Sequence, residues 1–352
     1  MTDFKKANYF IEFAAGKYYI IDAESGFMMA AGHDWGTRGI INEQGLDLTL
    51  TPDEQNRTVT IETNVYNGDN SHFLGSNLYM DSPAYEWALE YQGFGFYIVD
   101  PATDKYINID LQDNLVRSDT PREFIIVTAE AVFQSRLEEL AEATQDNPVD
   151  ATFLLQNPNF NRNDKRTNSW TIEFVSGNNS NLNGGNNLNN CAESYHAAFT
   201  LSQVAASAPK GTYTLTAQGF YRQDDNVEES APTFFLNDVK ADVPVRTGTE
   251  GSMSSASESF TNGLYTIVPI AAYINDGETL KVGVTNGENV HQWVIFDNFR
   301  LMYYGADDIT TGISEVSSER PVTDAVYNLS GQRVEKAAKG LYIQNGRKYI
   351  VK

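Results

Sequence analysis

Apolar and polar positions alternate in short runs along residues 18–127, the period-two pattern of strands that bury one face, and turn residues separate the runs. Three blocks share this plan. They open with Tyr18-Tyr19-Ile20-Ile21-Asp22, Val59-Thr60-Ile61-Glu62 and Phe96-Tyr97-Ile98-Val99-Asp100. Each then passes through a turn, Ala23-Glu24-Ser25-Gly26, Tyr66-Asn67-Gly68-Asp69 or Pro101-Ala102-Thr103-Asp104, into a second strand at Phe27-Met28-Met29, Phe73-Leu74 or Tyr106-Ile107. Trp87-Ala88-Leu89 and Phe124-Ile125-Ile126 read as further strands.

The period changes over residues 129–146. Val132, Phe133, Leu137, Leu140 and Ala141 fall on one helical face, with Glu130, Glu138, Glu139 and Glu142 mostly elsewhere, which predicts a connecting helix ended before Pro148. Strands then return with turn signals at short intervals, as in a β-sandwich. Residues 212–222 set Tyr213, Leu215 and Ala217 on one face against Thr214, Thr216 and Gln218 on the other. Residues 176–190 are dominated by Asn and Gly and predict a surface loop rather than a strand. After a polar, linker-like stretch at 307–321, residues 325–334, 339–343 and 349–352 predict a short β meander.

The expected architecture is therefore all-β. It has an N-terminal domain (1–128), a helical connector (129–148), a sandwich domain (149–305), and a linker with a small C-terminal β domain (306–352). A chain of 352 residues exceeds the size at which one core keeps growing, so several domains are expected.

Charge narrows the partners. With 47 Asp plus Glu against 25 Lys plus Arg and a net charge of -22, the chain repels phosphate backbones and anionic lipid surfaces, and nucleic acid is excluded as a partner. The one cysteine, Cys191, permits neither an intramolecular disulfide nor a cysteine metal cage, and reads as a buried filler. No run reaches the roughly 18 apolar residues of a membrane span. Residues 1–6 lack the apolar core of a signal peptide, which leaves a cytoplasmic chain or one whose leader has been removed.

Three resemblances rest on these segments. The triple block of residues 18–127 resembles the ricin-type β-trefoil, which implies a barrel closed around a pseudo-threefold axis. A second set of motifs runs Asn157-Pro158-Asn159-Phe160, Ser169-Trp170-Thr171, Cys191-Ala192-Glu193, Gly211-Thr212-Tyr213, Gln218-Gly219-Phe220-Tyr221-Arg222 and Ile295-Phe296-Asp297-Asn298-Phe299-Arg300-Leu301. It resembles a galactose-binding-like jelly roll, related in shape to carbohydrate-binding modules and common in secreted Bacteroidetes proteins. The C-terminal meander is similar to the sorting domain of the type IX (Por) secretion system, which implies export to the outer-membrane surface and favours a removed signal peptide.

Sugar sites combine an aromatic plate, packed on the apolar face of a pyranose, with planar polar groups that bond its hydroxyls, and the chain offers 19 Tyr and 4 Trp. In the first domain, His33-Asp34-Trp35-Gly36 forms a polar aromatic loop of this type, with Asp34 and Trp35 as the expected ligand contacts; Tyr79-Met80-Asp81 is a second such segment. The Gln-x-Trp strands of the ricin family are missing here, so a spacing or protein-docking role stands beside a lectin role. In the sandwich, Glu193, Tyr195 and His196, with Gln218, Tyr221 and Arg222 beside the acidic loop 224–229, could line a second site. The alternative makes Tyr195 and Tyr221 ordinary sandwich residues and pairs Arg222 with that acidic loop. Trp170 and Trp293, flanked by alternating apolar residues, read as core.

No cofactor is required on this reading. Related jelly rolls carry a structural calcium, and the resemblance places Asn159 and Asp297 as its ligands, with Asn161 where relatives have an acid. Catalytic signatures are missing: no Gly-x-Ser-x-Gly elbow, phosphate loop or His-Glu-x-x-His helix occurs, and His33, His72, His196 and His291 lack metal-ligand spacing. The expectation is a non-catalytic carbohydrate-binding protein, secreted or at the cell surface. Its alternatives are a protein-binding adhesion or scaffold component and an accessory part of a glycoside hydrolase.

Overall fold

The structure, a computed structural model, describes residue 9, residues 12–65, 71–161, 164, 169–185, 189–205 and 207–310, and the strand backbones at 326–328, 333–334, 340–344 and 347–351. The expected turn at Tyr66-Asn67-Gly68-Asp69, the first six residues and most of the linker at 307–321 lie outside the described residues. The chain divides into two compact units, 1–313 and 314–352. Among the described residues, β-strands are the main regular structure of both.

Ten strands form the first sheet: β1 (Gly16–Asp22), β2 (Met28–Gly32), β3 (Arg38–Asn42), β4 (Leu48–Asp53), β5 (Thr58–Glu62), β6 (Glu86–Tyr91), β7 (Phe96–Asp100), β8 (Lys105–Ile109), β9 (Leu115–Ser118) and β10 (Glu123–Thr128). Antiparallel pairing runs β1 to β4, β5, β6 and β7, and then through β10 back to β1, so six strands close a ring. The hairpin β2–β3 hangs from β1, and β8–β9 from β7. In the second sequence block, Phe73 makes only single bridges to Glu62 and Ser82 rather than a regular strand.

The ring closes because the alternating residues of its strands share one interior. Ile20, Leu48, Leu50, Ile61, Trp87, Leu89, Ile98 and Phe124 are all essentially inaccessible and pack together. Burying each such side chain stabilises the fold by about 1.5–3 kcal/mol relative to exposure.

Helix α1 (Ala129–Leu140) follows, its start capped by Thr128 Oγ1, which accepts from the Ala131 N–H at 3.2 Å. It stops earlier than the 129–146 expected from periodicity. The N–H groups of Ala141, Glu142 and Ala143 bond only three residues back, tightening the last turn, and Thr144 and Asn147 then pair in a turn of their own. Apolar periodicity had continued to Ala141, whereas the α-helix proper ended at Leu140.

Eleven further strands follow: β11 (Val149–Asp150), β12 (Thr171–Ser176), β13 (Ser180–Gly185), β14 (Asn190–Tyr195), β15 (Ala198–Ala205), β16 (Gly211–Gln223), β17 (Thr233–Leu236), β18 (Val239–Asp242), β19 (Ile270–Ile274), β20 (Leu280–Thr285) and β21 (Gln292–Tyr303). One sheet runs β13-β14-β21-β16-β19 with β11 on β21, the other β12-β15-β20-β17-β18. Both contribute to one core, with Phe199, Leu201, Val282 and Val284 from the second sheet and Tyr213, Leu215, Phe296 and Leu301 from the first. Trp170 belongs to this core against Phe160 and Phe299.

The stretch 176–190, expected as a loop, contributes β13. An edge strand needs backbone donors and acceptors rather than apolar side chains, and β13 pairs with β14 through a register shift, with Leu182 packed on the core. A second helix, α2 (Met253–Thr261), opens with a Ser252–Ser255 capping box. It covers the outer face of the β13-β14-β21-β16-β19 sheet, where Ala256 and Phe260 meet Cys191, Phe220, Trp293 and Ile295.

In the C-terminal unit, β22 (Val326–Asn328), β23 (Arg333–Val334), β24 (Gly340–Gln344) and β25 (Arg347–Val351) pair antiparallel in the order β23-β22-β24-β25. Among the described residues no helix is long and apolar enough to cross a membrane.

Candidate functional site

Between β2 and β3 the chain reverses through a single helical turn at Asp34–Gly36. His33 has φ 48° and ψ -149° and Trp35 has φ 55°, so two bulky residues stand in left-handed backbone that normally costs about 1–3 kcal/mol each. The surrounding bonds hold them there. His33 Nδ1 lies 2.8 Å from Asn114 Oδ1, and Asn114 is tied to Asp110 through its backbone N–H and its amide.

Residues 78–80 run alongside: the Gly39 N–H donates to the Leu78 carbonyl at 2.9 Å and the Met80 N–H to the Thr37 carbonyl at 2.7 Å. This approach needs glycine at 39, because a Cβ there would stand 2.8 Å from the Leu78 carbonyl oxygen and 2.7 Å from Leu115 Cδ1.

Tyr79 thereby comes to rest beside the loop, uniting two segments that the sequence offered separately. Its hydroxyl donates to Asp34 Oδ2 at 3.3 Å, and its ring lies 6.1 Å from that of Trp35, tilted by 42°. From the other side the Arg38 guanidinium sits 5.2 Å from the Tyr79 ring centre, held by the carbonyls of Asn77 and Leu115. Partial desolvation and then the charge of Asp34 push the Tyr79 phenol above its ordinary range, so it stays protonated and donating at neutral pH. Trp35 is 62% exposed. The result is an aromatic plate with a carboxylate, a phenol and a guanidinium at its edge.

The sandwich residues divide differently. Tyr195, Trp293 and Arg222 are directly opposite one another on β14, β21 and β16, and therefore share a face. Arg222 sits 4.9 Å over the Trp293 ring and grips Asp224 with Nε at 2.6 Å and Nη2 at 2.8 Å. His196 Nε2 is 3.1 Å from the same carboxylate and its ring stacks on Tyr195 at 4.0 Å. Glu193 Oε2 accepts from the Trp293 indole at 2.7 Å. The bond from Arg222, against a smaller desolvation, holds the Asp224 carboxyl below its usual range. These groups spend much of their bonding capacity on each other, and Arg222 pairs with the acidic loop as the alternative reading had it.

Two residues expected here are elsewhere. Gln218 is buried and donates to the Phe260 and Leu264 carbonyls while accepting from Asn298, which ties α2 to the sheet. Tyr221, one residue from Arg222, points to the opposite face and packs on the core. Trp293 and Asp224, which organise the cluster, were not singled out as site residues; the alternation of β21 about Ile295 and the acidic loop were their only signals.

Asn159 and Asp297, the pair expected to hold calcium, do not share a position. Asn159 is exposed, whereas Asp297 is wholly buried on the α2 side of the sheet, opposite Gln218. Burial pushes the Asp297 carboxyl well above the usual carboxylate range; the Asn298 amide and the Asn189 side chain oppose this only in part, and neither carboxylate oxygen closes a hydrogen bond of ordinary geometry. Among the described residues no three His, Cys, Asp or Glu side chains converge to hold a metal. Asn159 and Asp297, one exposed and one wholly buried, do not together form the calcium site that the resemblance implied.

No family model matches the chain, and no curated protein matches it either. Among solved structures, a Stig cyclase from Fischerella sp. TAU, in complex with (3Z)-3-(1-methyl-2-pyrrolidinylidene)-3H-indole, aligns at 16% identity over 40% of this chain and 86% of its own. The TM-score of 0.25 is too low for that alignment to bear on fold or activity.

Proposed function

We propose that the protein is a non-catalytic carbohydrate-binding protein that recognises a glycan at the Trp35–Tyr79–Asp34 platform. The observation that carries this reading is the exposed indole of Trp35, held in costly backbone beside the Asp34 carboxylate and the Tyr79 hydroxyl. The indole would cover the apolar face of a pyranose, and Asp34 would accept from adjacent hydroxyls. A shallow plate of this kind implies weak binding per site.

The six-strand ring with its attached hairpins supports a β-trefoil description of the first domain, and the two sheets sharing one core support a jelly roll for the second. The antiparallel C-terminal sheet is compatible with a sorting domain of the type IX system and hence with a secreted or outer-membrane-surface protein of Bacteroidetes type.

A second reading, a protein-binding adhesion component, is favoured by Leu111. It is 97% exposed in the turn that ends at Asn114, the residue bonded to His33. A glycan-array screen of the purified chain and of Trp35→Ala and Tyr195→Ala separates the two. Selective glycan binding lost in Trp35→Ala and kept in Tyr195→Ala is the expected result. Silence across plant, host and microbial glycans would move the assignment to protein adhesion.

A further inference from the structure

A cavity of about 280 Å3 opens where α1 meets β1 and the segment after β11, lined by Tyr19, Asp47, Phe133, Arg136, Phe153 and Gln156. None of these residues figures in the Trp35 platform. In its lining the Arg136 guanidinium faces two rings, 5.6 Å from the centre of Tyr19 and 5.8 Å from that of Phe153. Cation–π contact of this kind orients the guanidinium plane without consuming its N–H donors.

Those donors are little used. Nη2 makes only long contacts, 3.4 Å to the Gln44 carbonyl and 3.7 Å to Met28 Sδ. Arg117, Arg122, Arg222 and Arg300 each have a carboxylate at ion-pair distance, and Arg38, Arg57 and Arg246 give Nη donors to backbone carbonyls at 3.1 Å or less; among the described residues Arg136 has neither. The cavity's own Asp47 is already met by Lys17 Nζ at 2.6 Å and Asn64 Nδ2 at 2.8 Å. Glu130, which also lines the cavity, is exposed to solvent. In a chain of net charge -22, a half-buried, ring-clamped guanidinium without a carboxylate is the feature that needs a partner from outside.

We infer that this cavity binds a uronic acid residue, its carboxylate taken by Arg136 in a two-point ion pair. Guanidinium and carboxylate match as parallel N–H···O bonds, a geometry that lysine does not reproduce. Phe133 and Phe153, edge to face at 5.7 Å, wall the apolar side against which a sugar ring packs, and the Gln156 amide offers both a donor and an acceptor to its hydroxyls. The volume falls just below the roughly 300–1,000 Å3 of pockets for drug-sized ligands, which suits a single ring. The sugar character rests on the glycan reading above; the carboxylate rests on Arg136 alone.

The test is saturation-transfer difference NMR at low salt with D-glucuronate, D-glucose and acetate, titrated against wild type, Trp35→Ala, Arg136→Lys and Gln156→Ala, each checked by thermal melting. The expected result is glucuronate binding that survives Trp35→Ala, weakens roughly tenfold or more in Arg136→Lys, and weakens several-fold in the milder Gln156→Ala. Survival in Trp35→Ala keeps this outcome separate from failure at the platform. No glucuronate binding to wild type, equal binding of glucose, equal binding of acetate, or binding unchanged in both Arg136→Lys and Gln156→Ala would each overturn the proposal.

Discussion

Arg122 and Asp22, 100 residues apart in the chain, form a two-point ion pair in which Nε reaches Oδ1 at 2.6 Å and Nη2 reaches Oδ2 at 2.8 Å. Asp22 is fully buried and also accepts from the Ser25 backbone and hydroxyl, which sets the turn of the first block. The third block repeats the device: Asp100 is buried, caps its own turn at the Ala102 N–H, and takes Arg117 Nε at 2.6 Å and the Tyr85 hydroxyl at 2.6 Å.

Removing the cation leaves a buried carboxylate uncompensated. Arg122→Ala is expected to destabilise the protein by about 3–5 kcal/mol, read as a lowered urea midpoint. A drop under about 1 kcal/mol would mean the pair is solvated in solution.

The same carboxylates set an acid limit. Burial pushes Asp22 and Asp100 up, but the bonds from Arg122 and Ser25, and from Tyr85 and Arg117, outweigh it and hold both below the ordinary range. Their stabilisation is present above the unfolded value near 3.9 and is lost as pH falls through the lower folded values. Melting temperature is expected to fall below about pH 4, and less steeply in Asp22→Asn.

Asp297 behaves in the opposite sense. Its folded carboxyl is raised, so its neutral form is tolerated below the unfolded value and stability is lost as pH rises through the folded one. Asp297→Asn is expected to stabilise the protein at neutral pH by about 1–3 kcal/mol and to have little effect at pH 4. Equal melting curves for the two proteins at both pH values would contradict this.

Gly39→Ala tests how Tyr79 is placed. The added Cβ meets a backbone carbonyl that cannot retreat without breaking its bond to residue 39, so a loss of about 1–3 kcal/mol is expected. Glycan binding at the platform is expected to drop in parallel, whereas Trp35→Ala, at an exposed position, is expected to change stability by less than about 0.5 kcal/mol.

Cys191 is fully buried, and burial pushes its thiol up to about 12. Ellman's reagent is expected to leave the native protein unlabelled and to titrate one thiol per chain in urea.

Alternation and turn chemistry are local properties, and the sequence alone determined the parts that depend on them. These are the all-β class, the strands of the first and third blocks, the helix start at Ala129 and the core placement of Trp170 and Trp293. Elements whose stability lies in backbone pairing were hidden. β13 forms from Asn and Gly because β14 supplies its hydrogen bonds, and α1 ends where its bonding pattern tightens rather than where its apolar face stops.

The sites depended on distance across the chain. Asp34 and Trp35 were legible as a polar aromatic loop, but only tertiary pairing of residues 37–39 with 78–80 brought Tyr79 to them. Gln218 and Tyr221 carried suitable chemistry, and strand alternation together with α2 turned both to structural use. Arg136 drew no reading from the sequence. Only the packing of Tyr19 and Phe153 around it, from segments well over a hundred residues apart, made it a clamped cation, because aromatic contact and desolvation exist only once the chain has folded.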